Sequence, residues 1–130
     1  MKLARVVFLI AGIWGIVVLV PFYFRFETIG EETPPAITHP EFYFGFLSAA
    51  LAWQIAFLVV AADPLRFRPF MAAAVLEKFS YVGSIGVLYA QGRVALGDFT
   101  LGAVADFILG ALFVGAFVST RGARTGGGSC

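Results

Sequence analysis

Charge is scarce in this chain. Only 13% of its 130 residues are Asp, Glu, Lys or Arg, and they balance to a net +1. No basic run or stripe is present to neutralise phosphates, which excludes a nucleic-acid partner. Cysteine is scarcer still: Cys130 stands alone, excluding a disulfide scaffold within the chain and a cysteine-based zinc site. The single histidine, His39, lies beside Pro40 and Glu41 with no second ligand to complete a metal set, so it reads as an ordinary loop residue. A phosphate loop, a cofactor fingerprint and a nucleophile with a nearby base are all missing. No cofactor or metal is therefore expected, and no catalytic residue can be assigned.

What the chain has in excess is apolar surface. Hydrophobic residues make up 60% of it, including 15 phenylalanines, and the mean hydropathy is +0.91. A soluble domain of this length has too little interior to hide so many apolar side chains, whereas lipid as solvent removes the difficulty. Apolar runs cover 6–24, 42–62, 69–90 and 94–119, each near the ~20 residues that a helix needs to cross about 30 Å of hydrocarbon. The expected fold is an all-α integral membrane protein, an antiparallel bundle of four transmembrane helices within 1–121, followed by a flexible tail over 122–130 that ends TGGGSC.

Lys2 and Arg5 before the first run imitate a secretory signal. The run is too long for one, however, and Pro21-Phe22-Tyr23-Phe24 continues it in the aromatic manner of a membrane interface. It reads as a retained first helix. Lys and Arg resist translocation and collect on the cytoplasmic side. With both termini inside, Lys2, Arg5, Arg66, Arg68, Arg121 and Arg124 are cytoplasmic, against Arg25 and Arg93 outside. Both termini are therefore expected in the cytoplasm, in a bacterial inner membrane. The segment 25–41 would be an outer loop or lid broken by Pro34, Pro35 and Pro40, and the turn 63–69 would make an inner hairpin of the second and third helices.

Polar residues inside the spans carry the functional information, because the bilayer penalises them. Gln54, Glu77 and Lys78 lie about 12 to 14 Å from the cytoplasmic ends at ~1.5 Å per residue, with Trp14 at the same level and Asp106 deeper. Neighbours on a helix point about 100° apart, so Glu77 and Lys78 should take separate partners. Lys78 is expected to pair with Asp106, and Glu77 with Gln54 and Ser80 or Tyr81. The candidate layer is thus Trp14, Gln54, Glu77, Lys78, Tyr81, Ser84 and Asp106. The stripes Gly45-Ala49-Ala52-Ala56 and Gly102-Asp106-Gly110, with Gly12 and Gly15, are expected packing seams.

A basic start, a first helix ending in a loop, the stretch HPEFYFGFLSAALAWQIAFLVVA, the turn DPLRFRP and two polar-interrupted helices resemble the small bacterial four-helix membrane proteins of the DoxX-like kind. The resemblance is one of architecture and carries over no functional residue. FLSAALAWQIAFLVVA is also similar to the emopamil-binding and sigma-2 membrane proteins, although their acidic pair on the first two helices has no counterpart here. The function expected is a non-enzymatic multi-pass module or complex subunit with a buried polar layer. Its partners would be the lipid bilayer and either another copy or a membrane-complex protein. The alternatives are a site for a lipophilic ligand, with isomerase-like chemistry, and proton or ion transport.

Overall fold

The computed structural model describes residues 2–125, the side chains of 98, 99 and 123–125 excepted. These residues form helices and connections, with no strand among them. The elements are α1 (Lys2–Leu19), a 3-10 turn (Val20–Phe24), α2 (Phe26–Glu32), α3 (Pro40–Ala62), α4 (Arg68–Ala90) and α5 (Asp98–Thr125). Among the described residues, four stretches of 23 residues are long and apolar enough to span a membrane: Lys2–Phe24, Pro40–Ala62, Arg68–Ala90 and Thr100–Gly122. At ~1.5 Å per residue each reaches about 35 Å, enough to cross the hydrocarbon with some tilt. A helix also satisfies its own backbone groups, which lipid cannot do. The large apolar side chains left uncovered, such as Val17, Leu76 and Leu101 at 65%, 69% and 77% exposure, suit a lipid surround and would aggregate in water.

Proline punctuates the elements. Pro21 converts the end of the first span into a 3-10 turn, while Pro40 and Pro69 open α3 and α4 at first-turn positions that need no N–H donor. Several boundaries differ from the sequence expectation: α1 begins at Lys2 rather than at 6, and α3 takes in Pro40 and Glu41 of the presumed loop. Residues 26–32 of the presumed irregular loop form α2, because the breaking prolines all lie beyond it; Glu27 sits in its first turn, and Arg25 pairs with Glu32 at 3.1 Å. The last helix starts at Asp98, four residues later than expected, and continues to Thr125, so 122–125 are helical rather than tail. Residues 126–130 of the expected tail lie outside the described residues.

The packing departs from the expected hairpin. α1 packs against α3 and α5, and α4 packs against α5, whereas α3 and α4 touch only sparsely despite the short turn between them. The reason lies in the small residues. A Cβ on Gly12 would come within 2.7 Å of Leu58 Cδ2, and one on Gly15 would collide with the Gln54 side chain, so α1 and α3 approach where glycine leaves room. The Gly45-Ala49-Ala52 stripe of α3 is exposed instead, and that helix buries Leu47, Ala50, Gln54, Phe57 and Ala61. Phe8, Phe57 and Phe113, from α1, α3 and α5, fill the centre. Phe8 stacks on Phe113 at 4.3 Å and Phe57 meets Phe113 edge-on at 5.0 Å, both favourable aromatic geometries.

At one end of the bundle, Arg5 Nη2 donates to Ala62 O at 3.4 Å, joining the start of α1 to the end of α3. Arg68 joins the start of α4 to the end of α5 by donating from Nε to Thr120 Oγ1 at 3.2 Å and from Nη2 to Phe117 O at 3.1 Å. At the other end Tyr43 OH donates to Phe22 O at 2.7 Å, and Tyr23 OH and Ser48 Oγ are hydrogen-bonded at 2.9 Å. Phe26, Tyr43 and Phe44 cluster beside them.

Candidate functional site

Where α4 packs on α5, a Cβ on Gly110 would lie 3.0 Å from Phe79 Cζ and 3.3 Å from Lys78 Cβ. The missing side chain brings the Lys78 stem against the α5 backbone. Lys78 is itself 5% exposed. Its ammonium donates to Asp106 Oδ1 at 3.0 Å, lies 3.3 Å from Glu77 Oε2, and stands 5.5 Å from the centre of the Phe57 ring on α3. One cation thus holds two carboxylates and faces one aromatic ring, bringing three helices together. The Glu77 and Asp106 side chains are 22% and 17% exposed.

The sequence expectation gave Glu77 and Lys78 different partners. The pairing of Lys78 with Asp106 is present, but Glu77 shares the same ammonium, because the flexible lysine stem overrides the ~100° between adjacent side chains. Glu77 Oε2 is buried and accepts no hydrogen bond, so its bond to Lys78 is electrostatic without hydrogen-bond alignment. With both carboxylates ionised the centre carries one negative charge in excess.

The rest of the expected layer is dispersed. Gln54 is buried but turns Nε2 to Ala50 O of its own helix at 3.0 Å and presses against Gly15, away from Glu77. Ser80 Oγ donates to the Glu77 backbone O at 3.1 Å, and exposed Ser84 donates to Ser80 O at 2.8 Å. These are backbone contacts that satisfy hydroxyls inside a helix. Tyr81 is half-buried, 6.4 Å from the Phe46 ring of α3, with its hydroxyl 3.8 Å from where a Gly102 Cβ would stand. Trp14, at 44% exposure, lies outside the centre. A helical count gives depth along the span but not the side of the helix that meets a neighbour.

The Arg68 node is the feature that sequence reasoning missed. Its guanidinium stacks 3.8 Å above the Phe117 ring while bonding to Phe117 O and Thr120 Oγ1. Thr120 is fully buried and donates to Ala116 O at 3.0 Å. Arginine at a helix start had signalled only orientation; the aromatic and hydroxyl spaced three apart at the end of α5 were the available signal of a partner. His39 lies 3.3 Å from Glu41 Oε1 in an exposed pair. Among the described residues no group of three His, Cys, Asp or Glu side chains could hold a metal ion.

The chain was compared with protein-family models, curated proteins and solved structures, and none matches.

Proposed function

We propose that the chain is a non-enzymatic module of the bacterial cytoplasmic membrane, related in architecture to the DoxX-like proteins and acting as a complex subunit or as a self-associating unit. Its four spans cross antiparallel, with both termini in the cytoplasm. The contacts of Arg5 with Ala62 and of Arg68 with Phe117 support this topology by putting the start of one span beside the end of another. The arginine-rich end is then the cytoplasmic one.

The observation that carries the reading is the closure of the charged centre on its own side chains. Lys78 is committed to Glu77, Asp106 and the Phe57 ring, as befits a clasp that fixes how α4 and α5 sit against α3. Isomerase-like chemistry needs an acid or base in a cavity. Two open cavities at the opposite end of the bundle are lined by neither Glu77 nor Asp106.

One observation favours proton transport as a second reading: Glu77 Oε2 is a buried atom that accepts no aligned hydrogen bond from the Lys78 ammonium 3.3 Å away, while the centre has a carboxylate in excess. Glu77→Gln separates the two, since it keeps the shape and removes the titratable proton. For a clasp, the purified variant melts like the parent, and neither protein carries protons across proteoliposomes. Proton flux in the parent that disappears in a normally folded Glu77→Gln variant would replace the clasp by a relay.

A further inference from the structure

At the end of the bundle away from Arg5 and Arg68, α2 and the 33–39 segment face the connection between α4 and α5 across an open cavity of about 820 Å³. Its walls include Ile29, Ile37 and Phe42, and its charged groups include Glu32 and Arg93. Glu32 is held by Arg25 through Oε2 at 3.1 Å, with its side chain still 60% exposed. Arg93 makes no side-chain hydrogen bond or ion pair among the described residues. One cavity therefore presents a guanidinium and a carboxylate that do not bond to each other.

Backbone geometry fixes Arg93 in place. Gly92 takes φ 68° just after α4, Gly92 N donates to Tyr89 O at 2.9 Å, and Arg93 N donates to Leu88 O at 2.9 Å. This is the Schellman closure, whose left-handed residue is best supplied by glycine. Because the cap uses the backbone of Arg93, its side chain remains free to bind.

Next to this cavity lies an open apolar slot of about 320 Å³ between α4 and α5, lined by Val82, Ile85, Gly86, Ala103 and Val104 among others. A Cβ on Gly86 would meet nothing within 4 Å, so the slot is open there. The two cavities share Val94, Ala95 and Leu96 and so adjoin at that connection. The slot runs beside the last turns of the span Arg68–Ala90, whereas Glu32 and Arg93 lie outside the four candidate spans, where headgroups would sit.

A cation and an anion beside an apolar slot match a zwitterionic phospholipid, and a carboxylate accepts hydrogen bonds from a primary ammonium but not from a quaternary one. We infer that this end of the bundle binds a phospholipid with a primary-ammonium headgroup, its phosphate on Arg93, its ammonium on Glu32 and an acyl chain along the α4–α5 slot. Charge complementarity selects the zwitterion. The 25–41 segment and Arg93 together carry Glu27, Glu31, Glu32 and Glu41 against Arg25 and Arg93, a balance that disfavours a headgroup with net negative charge. The site does not depend on which way the protein faces.

Native mass spectrometry of the full chain in detergent tests it, with phosphatidylethanolamine, phosphatidylglycerol and phosphatidylcholine of matched chains added in turn. Phosphatidylethanolamine should be retained about fivefold over the other two, the scale of one charge contact at a membrane surface. Arg93→Gln should weaken retention of phosphatidylethanolamine and phosphatidylglycerol alike, and Glu32→Gln should erase the preference between them. Ala103→Phe, which fills the slot, should lower retention of all three. Soluble glycerophosphoethanolamine should not compete, because it has no chain for the slot. Equal or better retention of phosphatidylglycerol by the parent, or indifference to Arg93→Gln, overturns the proposal. So does competition by the soluble headgroup, or an Ala103→Phe variant that changes oligomeric state and not lipid retention.

Discussion

Lys78 of α4 and Asp106 of α5 meet at 3.0 Å beside Gly110, whose lack of a side chain admits the lysine stem to the helix interface. The ion pair and the glycine are two parts of one contact. Glu77, 3.3 Å from the same ammonium, makes the consequences of losing each partner unequal.

Removing the cation leaves two half-buried carboxylates without a counter-charge, whereas removing one carboxylate leaves a balanced pair. Lys78→Met should therefore destabilise the detergent-solubilised protein most, by about 3 to 5 kcal/mol, the range for breaking a buried pair. Asp106→Asn should cost clearly less, and Lys78→Met with Asp106→Asn should recover part of the single loss. Thermal melts of the three variants check this, and additive losses would mean that the residues are uncoupled.

Gly15 and Gln54 form a second complementary pair, with the glutamine side chain occupying the place of a Cβ. Gly15→Ala should cost about 1 to 3 kcal/mol through overpacking, and adding Gln54→Ala should restore stability towards the parent. The melting temperatures of single and double variants decide; no rescue would locate the strain elsewhere.

Arg68 acts through a planar fork and a stacked face, neither of which lysine reproduces. Arg68→Lys should lose the contacts to Phe117 and Thr120 and lower stability by about 1 kcal/mol, the scale of a partly buried cation–π contact, although charge is conserved. A lysine variant that melts like the parent would show that charge alone suffices there.

Orientation has its own test. In a Cys130→Ser background, Thr33→Cys should react with a membrane-impermeant thiol reagent in intact cells, while Cys130 in the parent should stay protected until the cells are opened. The reverse pattern would turn the protein over in the membrane.

The Lys78–Asp106 contact was legible in the residue types because a span tolerates a charge only with a partner, and few partners were available. Glu77 was misassigned to Gln54, since equal depth along two helices does not imply facing sides; Gln54 instead fills the gap left by Gly15 on α1.

By itself the sequence determined the membrane class and the number of spans, because in lipid an apolar run of sufficient length must satisfy its own backbone and becomes a helix. Only the tertiary structure decided which helices are neighbours. Lipid is as apolar as a leucine face, so burial gives no preference among apolar surfaces, and close fit at small residues takes over. That fit joins α1 to α3 at Gly12 and Gly15 and α4 to α5 at Gly110, and it leaves α3 and α4, consecutive in the chain, largely apart.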